Sequence, residues 1–368
     1  MNSMEFVTYR LKDILCNYDN LRKPLSSMER VSFQGDYPYF GAQGIIDHVR
    51  DYRYDGEYLL IAEDGENLKA RSQPIAIIAT GKFWVNNHAH VVKTNELADI
   101  KYTCYALNNM DISGYVTGTA QPKLSQKNLN GMKVLFPTLE KQKHIAEILS
   151  AYDELIENNN RRIALLEKAA QELYKEWFVR FRFPGHETAK FENGLPEGWM
   201  VMRVKDLVKR YPFGTLYKGD SILSEGKTIV IDQSSNEYAG FHNNEPSHIA
   251  DINYPMILFG DHTCKYQLMT IPFSLSENVV PFTGTEGVET TYLYYLVNGI
   301  VETTEYKRHW TEFVSKKVLV ADNKSQCLFR DKIKDKLLLI ESLKLQNQNL
   351  AKQRDLLLPR LMSGKLEV

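Results

Sequence analysis

The sequence predicts an α/β protein: two α/β domains, each with a small β-rich core, joined by two long antiparallel coiled-coil helices with a pseudo-twofold internal repeat. Two observations predict it. Short apolar segments recur in the same order in both halves of the chain at a nearly constant offset. Each half then closes on a long stretch whose apolar residues fall three and four apart. The 368 residues suffice for two or more domains, and a hydrophobic content of 43% supplies more than one core.

The repeat opens with Tyr9-Arg10-Leu11-Lys12-Asp13-Ile14, matched 193 positions later by Met202-Arg203-Val204-Lys205-Asp206-Leu207. Next, Tyr58-Leu59-Leu60-Ile61-Ala62-Glu63-Asp64 is echoed by Pro255-Met256-Ile257-Leu258-Phe259-Gly260-Asp261, and His90-Val91-Val92 by Asn278-Val279-Val280. These apolar runs, bounded by Gly, Asp and Asn, read as buried strands between polar turns.

The first helical stretch runs from about Leu139 to Phe178. Its seam is Ile145, Ile148, Tyr152, Leu155, Ile163, Leu166, Ala170, Leu173 and Trp177, with a slip of phase at Asn158-Asn159-Asn160. The second runs from about Gln326 to Leu361, with Ile333, Leu337, Ile340, Leu343, Asn347, Leu350, Leu357 and Leu361 in its seam. Pro359 is expected to kink or end it, and Ser363-Gly364 to mark its exit. So narrow an apolar stripe needs a partner, and each helix is the natural partner of the other. About 40 residues make a rod of about 60 Å. Asn159 and Asn347 in the seams either fix register or mark the slip.

Charge is balanced, 45 Lys plus Arg against 46 Asp plus Glu for a net −1. A nucleic-acid-binding role therefore needs local positive charge or phosphate contacts supplied by partners. Cys16, Cys104, Cys264 and Cys327 are scattered, with no C-x-x-C pair, which argues against a zinc site or disulfide framework and for reduced thiols in the cytoplasm. The start of the chain has no signal-peptide pattern and no run reaches the roughly 18 apolar residues of a membrane helix. Enzyme motifs fail one by one. There is no Asn/Asp-Pro-Pro-Tyr/Phe and no glycine-rich methyl-donor loop. Gly226-Lys227-Thr228 lacks the P-loop's first glycine, because Ser221 stands there. Glu305-Tyr306-Lys307 has no upstream Pro-Asp and reads as a solvated helix face. His88 and His90 lack a third metal ligand, and no nucleophilic triad has a recognisable spacing.

The helical stretches and their flanks carry a resemblance. Phe136-Pro137-Thr138-Leu139-Glu140-Lys141-Gln142-Lys143-His144-Ile145-Ala146 resembles the Pro-x-x-Glu-x-Gln-x-x-Ile-Ala lead-in to the central conserved region of type I restriction–modification specificity subunits. Leu173-Tyr174-Lys175-Glu176-Trp177-Phe178-Val179-Arg180-Phe181 with Pro184-Gly185 is similar to that region's exit. Leu195-Pro196-Glu197-Gly198-Trp199 resembles the start of the second recognition domain, and Gln353 to Gly364 the distal conserved region. Asn86-Asn87-His88-Ala89-His90-Val91-Val92 and Gly118-Thr119-Ala120-Gln121-Pro122-Lys123-Leu124-Ser125 look like target-domain signatures. Two departures stand in the second half. Trp310-Thr311-Glu312-Phe313-Val314-Ser315 sits where Gly-Thr-x-Gln-Pro-x-Leu-Ser is expected, and Ala321-Asp322-Asn323-Lys324-Ser325-Gln326 replaces Pro-x-x-Glu-x-Gln.

The resemblance implies a non-catalytic DNA-specificity subunit. It would divide into target-recognition domain 1 (1–137), a central spacer helix (138–185), target-recognition domain 2 (186–322) and a distal helix (323–368). Its expected partners are double-stranded DNA with a bipartite, gapped site, two methyltransferase subunits and restriction/translocase subunits. S-adenosylmethionine is expected in the methyltransferase, with no cofactor in this chain. Base edges call for Arg or Lys at guanine and Asn or Gln at adenine. That points to Gln43, Lys82, Asn86, Asn87 and His88 in the first domain, with Lys69, Arg71, Lys123 and Lys127 for phosphates. In the second it points to His242, Asn243, Asn244, His262, Lys265 and Lys307, with Arg308, Lys316 and Lys317 for the backbone. The equivalent subunit of another multisubunit restriction system is a near alternative. A coiled-coil interaction scaffold without intrinsic DNA binding also fits the neutral charge. A stand-alone nuclease does not fit, because metal-site carboxylates are missing.

Overall fold

Both halves of the chain build their strands from the apolar runs that repeat in the sequence. A computed structural model describes residues 6–366 apart from 119, 304 and 306. Thr119 of the Gly118–Ser125 signature and Tyr306 of Glu305-Tyr306-Lys307 thus lie outside the described residues. The chain divides into two units, one made of Met1–Asn158 with Gln346–Val368 and the other of Asn159–Leu345.

In unit 1, β1 (Val7–Arg10) runs into the one-turn helix α1 (Leu11–Ile14) and then β2 (Leu15–Asn17). After α2 (Ser27–Ser32) come β3 (Gln34–Gly41), β4 (Gly44–Val49), β5 (Tyr54–Asp55), β6 (Tyr58–Ala62), α3 (Asn67–Ala70), β7 (Ala76–Ala79), β8 (Lys82–Val85) and β9 (Ala89–Thr94). Helices α4 (Ile100–Asn109) and α5 (Gln126–Gly131) precede β10 (Lys133–Phe136), which returns to pair with β1. Two four-stranded sheets result, ordered β2-β9-β6-β7 and β4-β3-β8-β5. β6 is buried along its whole length, as expected of a run with no polar alternation. The larger core gathers Leu59, Ile61 and Val92 with Tyr102, Phe136 and the helical residues Ile145, Ala146 and Leu149. Leu361, from near the chain's end, is 1% exposed in the same core.

Helix α6 spans Leu139–Tyr174, and its last turn, Lys175–Val179, widens to a π-helix before Arg180. A short hairpin, β11 (Phe191–Glu192) and β12 (Leu195–Pro196), leads into β13 (Met200–Arg203) and β14 (Val208–Arg210). Then follow β15 (Thr228–Ile231), β16 (Gly240–His242), β17 (Met256–Gly260), β18 (Tyr266–Met269), β19 (Phe273–Leu275), β20 (Val279–Gly284), α7 (Thr290–Val297), α8 (Trp310–Ser315), β21 (Lys317–Val320) and α9 (Asn323–Met362). Unit 2 repeats the first plan. β13 pairs with β21 as β1 does with β10, and the sheet β14-β20-β17-β18 repeats β2-β9-β6-β7. The parallel pairing of β3 with β8 recurs between β15 and β19. The second core is aromatic, with Tyr174, Trp177, Phe178, Trp199, Phe259, Tyr292, Phe313 and Phe329 packed together.

The opening match holds residue for residue: Leu11 N–H donates to the Met132 carbonyl and Val204 N–H to that of Lys316. The later matches shift. Glu63 N–H donates to the His88 carbonyl and Asp261 N–H to that of Asn278. The partner of Asn278 in the repeat is therefore His88, two residues before His90, and that of Asp261 is Glu63, one before Asp64. A two-residue slip keeps every side chain on its face, and a strand buried on both faces has no alternation to expose a slip of one.

Within each unit the two long helices run antiparallel. In unit 1, Arg354 Nη1 meets Asp153 Oδ1 at 2.5 Å while Leu357 and Leu361 lie with Leu149 and Ile145. In unit 2, Tyr174 and Trp177 meet Phe329, and Ala170 lies with Ile333. Three expectations need correction. Leu155 is 49% exposed, with Ile156 half-buried one residue on, because the seam changes phase ahead of Asn158–Asn160. Pro359 does not end α9: its missing N–H frees one carbonyl four residues back, and the helix continues to Met362, with Ser363 N–H reaching the Pro359 carbonyl. Glu305 and Lys307 lie exposed in bends outside any helix.

Candidate nucleic-acid interface

In unit 1 one edge collects residues from four separate segments. β3 and β4 form a hairpin whose turn is Ala42-Gln43, closed at Gly44, which has a φ of +117° that suits glycine. Gln43 is exposed at the tip. Asn86 N–H donates to the Phe40 carbonyl at 3.0 Å, tying the Asn86–His88 turn to the turn end of that hairpin. His88 N–H in turn donates to Asn86 Oδ1 at 2.8 Å, so Asn86, 6% exposed, shapes the turn while Asn87 and His88 face solvent. Lys123 joins at the end of β6, bridging to Asp64, with its ammonium 3.2 Å from Glu63. Gly118 makes that approach possible, since a Cβ there would fall 2.2 Å from the Gln121 carbonyl oxygen.

A buried ionic network fixes this edge. Arg22 Nη1 lies 2.7 Å from Glu63 and its Nη2 3.3 Å from Asp19. His90, 1% exposed, bridges Asp19 through Nδ1 at 2.7 Å and the Leu124 carbonyl through Nε2 at 2.8 Å. Burial pushes the Asp19 carboxyl up, but hydrogen bonds from His90, Asn17 and the Val91 N–H outweigh it and leave it below its ordinary value. Glu63 shows the same balance, with burial opposed by Arg22, His90 and Lys123. His90 is thereby a scaffold residue, and its neighbour His88 pairs with Asp64 at 2.8 Å.

The other unit 1 candidates lie away from the tip. Lys82 opens β8, at the opposite end of that strand from Asn86, with its ammonium 4.5 Å above the Tyr52 ring. Contact with the Tyr52 hydroxyl and ring raises its pKa. Lys69 on α3 and Lys127 on α5 are exposed. Arg71 is turned inward, its Nη2 donating to the Asn108 carbonyl at 2.7 Å, and burial lowers its pKa.

Unit 2 splits its candidates between two ends of a sheet. His262, Lys265, Lys307 and Arg308 gather around Asp261 and the loop that joins β15 to β16. Gln233 Oε1 accepts the His262 N–H at 3.1 Å, Lys265 donates to the Asn236 carbonyl, and His262 Nδ1 lies 3.1 Å from the Lys307 carbonyl. Arg308 is 76% exposed, 3.8 Å from Asp261. His242, Asn243 and Asn244 lie at the other end of β16, where Thr228 opens β15. His242 is 2% exposed and stacked on Tyr217 at 3.9 Å, with burial lowering its pKa, so its ring packs the loop. Asn244 donates to the Tyr217 hydroxyl at 3.1 Å. Lys316 pairs with Glu312 at 3.1 Å and Lys317 faces Arg203 across β13–β21, beyond the six residues of α8.

Two features escaped the sequence. Arg22 holds the unit 1 edge together, and Gln233–Asn236 take the place in unit 2 that Gln43 takes in unit 1. The polar cluster Asp232-Gln233-Ser234-Ser235-Asn236 after the apolar Thr228–Ile231 was the available signal. Among the described residues no group of three or more His, Cys, Asp or Glu could hold a metal ion, and no helix is long and apolar enough to cross a membrane. What the edges offer is amides, imidazoles and cations on turns braced by strands, a chemistry of hydrogen bonding to base edges and phosphates.

Residues 4–168 match the family described as the type I restriction modification DNA specificity domain. A candidate type I restriction enzyme specificity subunit from Haemophilus influenzae is 39% identical over 138 residues, 37% of this chain and 34% of that protein. The MjaIX specificity subunit of Methanocaldococcus jannaschii is 28% identical over 199 residues, 48% of this chain and 45% of its own. The chain thus spans about a third to a half of the length of these curated relatives. The crystal structure of a type I restriction–modification S subunit from M. genitalium superposes with a TM-score of 0.59 at 14% identity, covering 98% of this chain and 97% of that one, which establishes the shared fold. Residues 4–168, under half of the chain, thus match the type I restriction modification DNA specificity domain, and the repeated α/β units with their long helices share the fold of an S subunit.

Proposed function

We propose that this chain reads a bipartite, gapped duplex DNA site and positions adenine methyltransferase and restriction subunits on it, itself performing no chemistry. The observation that carries this reading is the recurrence of one edge. In each unit a turn after the parallel strand, Asn86–His88 or Ser276–Asn278, donates its first N–H to the neighbouring strand, to Phe40 or Ile231, and its third carbonyl accepts from Glu63 or Asp261. A chain that builds the same edge twice is suited to two half-sites. The segments follow as recognition domains 1–137 and 186–322, with helices 138–185 and 323–368 as spacer and docking surface. Two methyltransferase subunits carry the S-adenosylmethionine, a restriction/translocase subunit joins them, and the complex works in the cytoplasm, where its DNA is.

The test is a methylome. Deleting the gene from its host, with the methyltransferase still expressed, is expected to abolish methylation at one two-part adenine motif separated by a fixed gap. An unchanged methylome would favour an interaction scaffold without DNA binding.

A further inference from the structure

The β3–β4 hairpin carries two residues that base-edge hydrogen bonding does not use. Ile45 and Ile46 follow the Gln43-Gly44 turn, and they are 54% and 52% exposed. Tyr39 pairs with Asp47 and Phe40 with Ile45, so Ile46 is the extra residue of a β-bulge in β4, where the regular alternation of side chains between faces is interrupted. Both aliphatic side chains are open to solvent beside the turn, although Phe40 and Gly41 on the neighbouring strand β3 are buried. Such a bulge re-aims the side chains at a strand end. Gly41 fits the same purpose, since a Cβ there would lie 3.1 Å from Ile46 Cγ2 and 3.5 Å from Asn86 Nδ2.

An aliphatic surface at a hairpin tip needs an apolar partner, and its neighbours say which. Gln43 is at the turn, the Asn86–His88 turn is bonded to Phe40 beside that turn, and Lys123 pairs with Glu63, whose N–H is bonded to His88. Amides, an imidazole and a cation describe a nucleic-acid groove better than a protein core. The major groove admits a two-stranded ribbon, and the one apolar group it displays is the thymine 5-methyl. Glutamine, meanwhile, suits adenine. We infer that Ile45 and Ile46 are specificity-determining residues that contact thymine methyl groups in the half-site read by unit 1, beside an adenine read by Gln43. This rests on the proposed DNA recognition. The loop at the same place in unit 2 is polar, from Asp232 to Glu237, and carries none of the exposed large hydrophobics found among the described residues, so this contact belongs to one half-site.

Thymine-to-uracil replacement removes the methyl group and leaves every hydrogen-bonding group in place. The complex of this chain with its methyltransferase subunits is titrated with duplexes of the mapped site in which each thymine is replaced in turn. One or two replacements within one half-site are expected to weaken binding about fourfold per methyl group lost. The double variant Ile45→Ala/Ile46→Ala is expected to bind thymine and uracil duplexes equally while keeping its salt dependence, and Ile45→Ser/Ile46→Ser to behave alike. A thymine-to-uracil ratio unchanged by these variants, or no sensitive thymine in either half-site, overturns the inference and leaves DNA recognition intact. Absence of any sequence-specific binding by the complex overturns both.

Discussion

Gln142 and Gln326 hold equivalent places in the two halves of the chain. The side-chain oxygen of each accepts the backbone N–H of the residue that caps a neighbouring helix, Asp99 at 2.9 Å and Glu289 at 2.8 Å. The side-chain nitrogen of each donates to a carbonyl five residues upstream, Pro137 at 2.9 Å and Ala321 at 2.8 Å. Both residues are nearly fully buried, at 1% and 2% exposed. One amide thus locks a long helix to its α/β unit, and it does so with or without the Pro and Glu that precede Gln142.

Replacing either glutamine by alanine leaves a buried N–H and a buried carbonyl without partners. Each of Gln142→Ala and Gln326→Ala is expected to destabilise its unit by about 1–3 kcal/mol. Urea unfolding gives the magnitude, and hydrogen exchange checks that α4 loosens in the first variant and α7 in the second.

Acid should act on unit 1 through Asp19 and Glu63. Both carboxyls titrate below their ordinary values of 3.8 and 4.5 when folded. Their stabilisation is therefore complete above those values and is lost as pH falls through and below them. Urea midpoints measured from about pH 6 to 3 are expected to drop steeply for the wild type. Asp19→Asn should start lower and show a shallower slope; a slope identical to wild type would contradict the assignment.

The loop from Asp232 to Ala239 is held to α9 by Lys344, whose ammonium lies 2.7 Å from Glu237. The pair is partly exposed, so Lys344→Met should change global stability by less than about 1 kcal/mol. Its effect should be local. Protease cleavage within the loop is expected to quicken, with the rest of unit 2 unchanged in exchange rates.

Gly118→Ala combines a positive φ of +86° with a Cβ 2.2 Å from the Gln121 carbonyl. The turn that delivers Lys123 must then open, at a cost of about 1–3 kcal/mol. Thermal unfolding reads the loss, and weaker, less salt-dependent DNA binding by the methyltransferase complex should accompany it.

The repeat and the helices were legible because periodicity survives in one dimension. Tyr9–Ile14 and Met202–Leu207 align without a gap, and the a/d pattern marks both helices to within a few residues. Register in the buried strands was not legible, since β6 and β17 are buried at every position and offer no alternation to count. The junction made by Gln326 was hidden for another reason. Its meaning lies in Glu289 and Ala321, and only folding brings those groups to it. Asn86, Arg71 and His242 show the same limit, because a polar residue in a turn looks alike whether it faces outward or satisfies the chain.

Unit 1 is assembled from two stretches that lie on either side of unit 2 in sequence, and Leu361 lies in its core. Its completion therefore waits until Leu361 has left the ribosome, whereas unit 2 is one uninterrupted stretch available earlier. Biosynthesis imposes an order: unit 2 can close first, and unit 1, begun earlier, is finished later. A stop codon a few turns early would spare unit 2 and leave unit 1 open at Ile145 and Leu149, so a truncated product would betray itself at the domain farthest, in sequence, from the lesion.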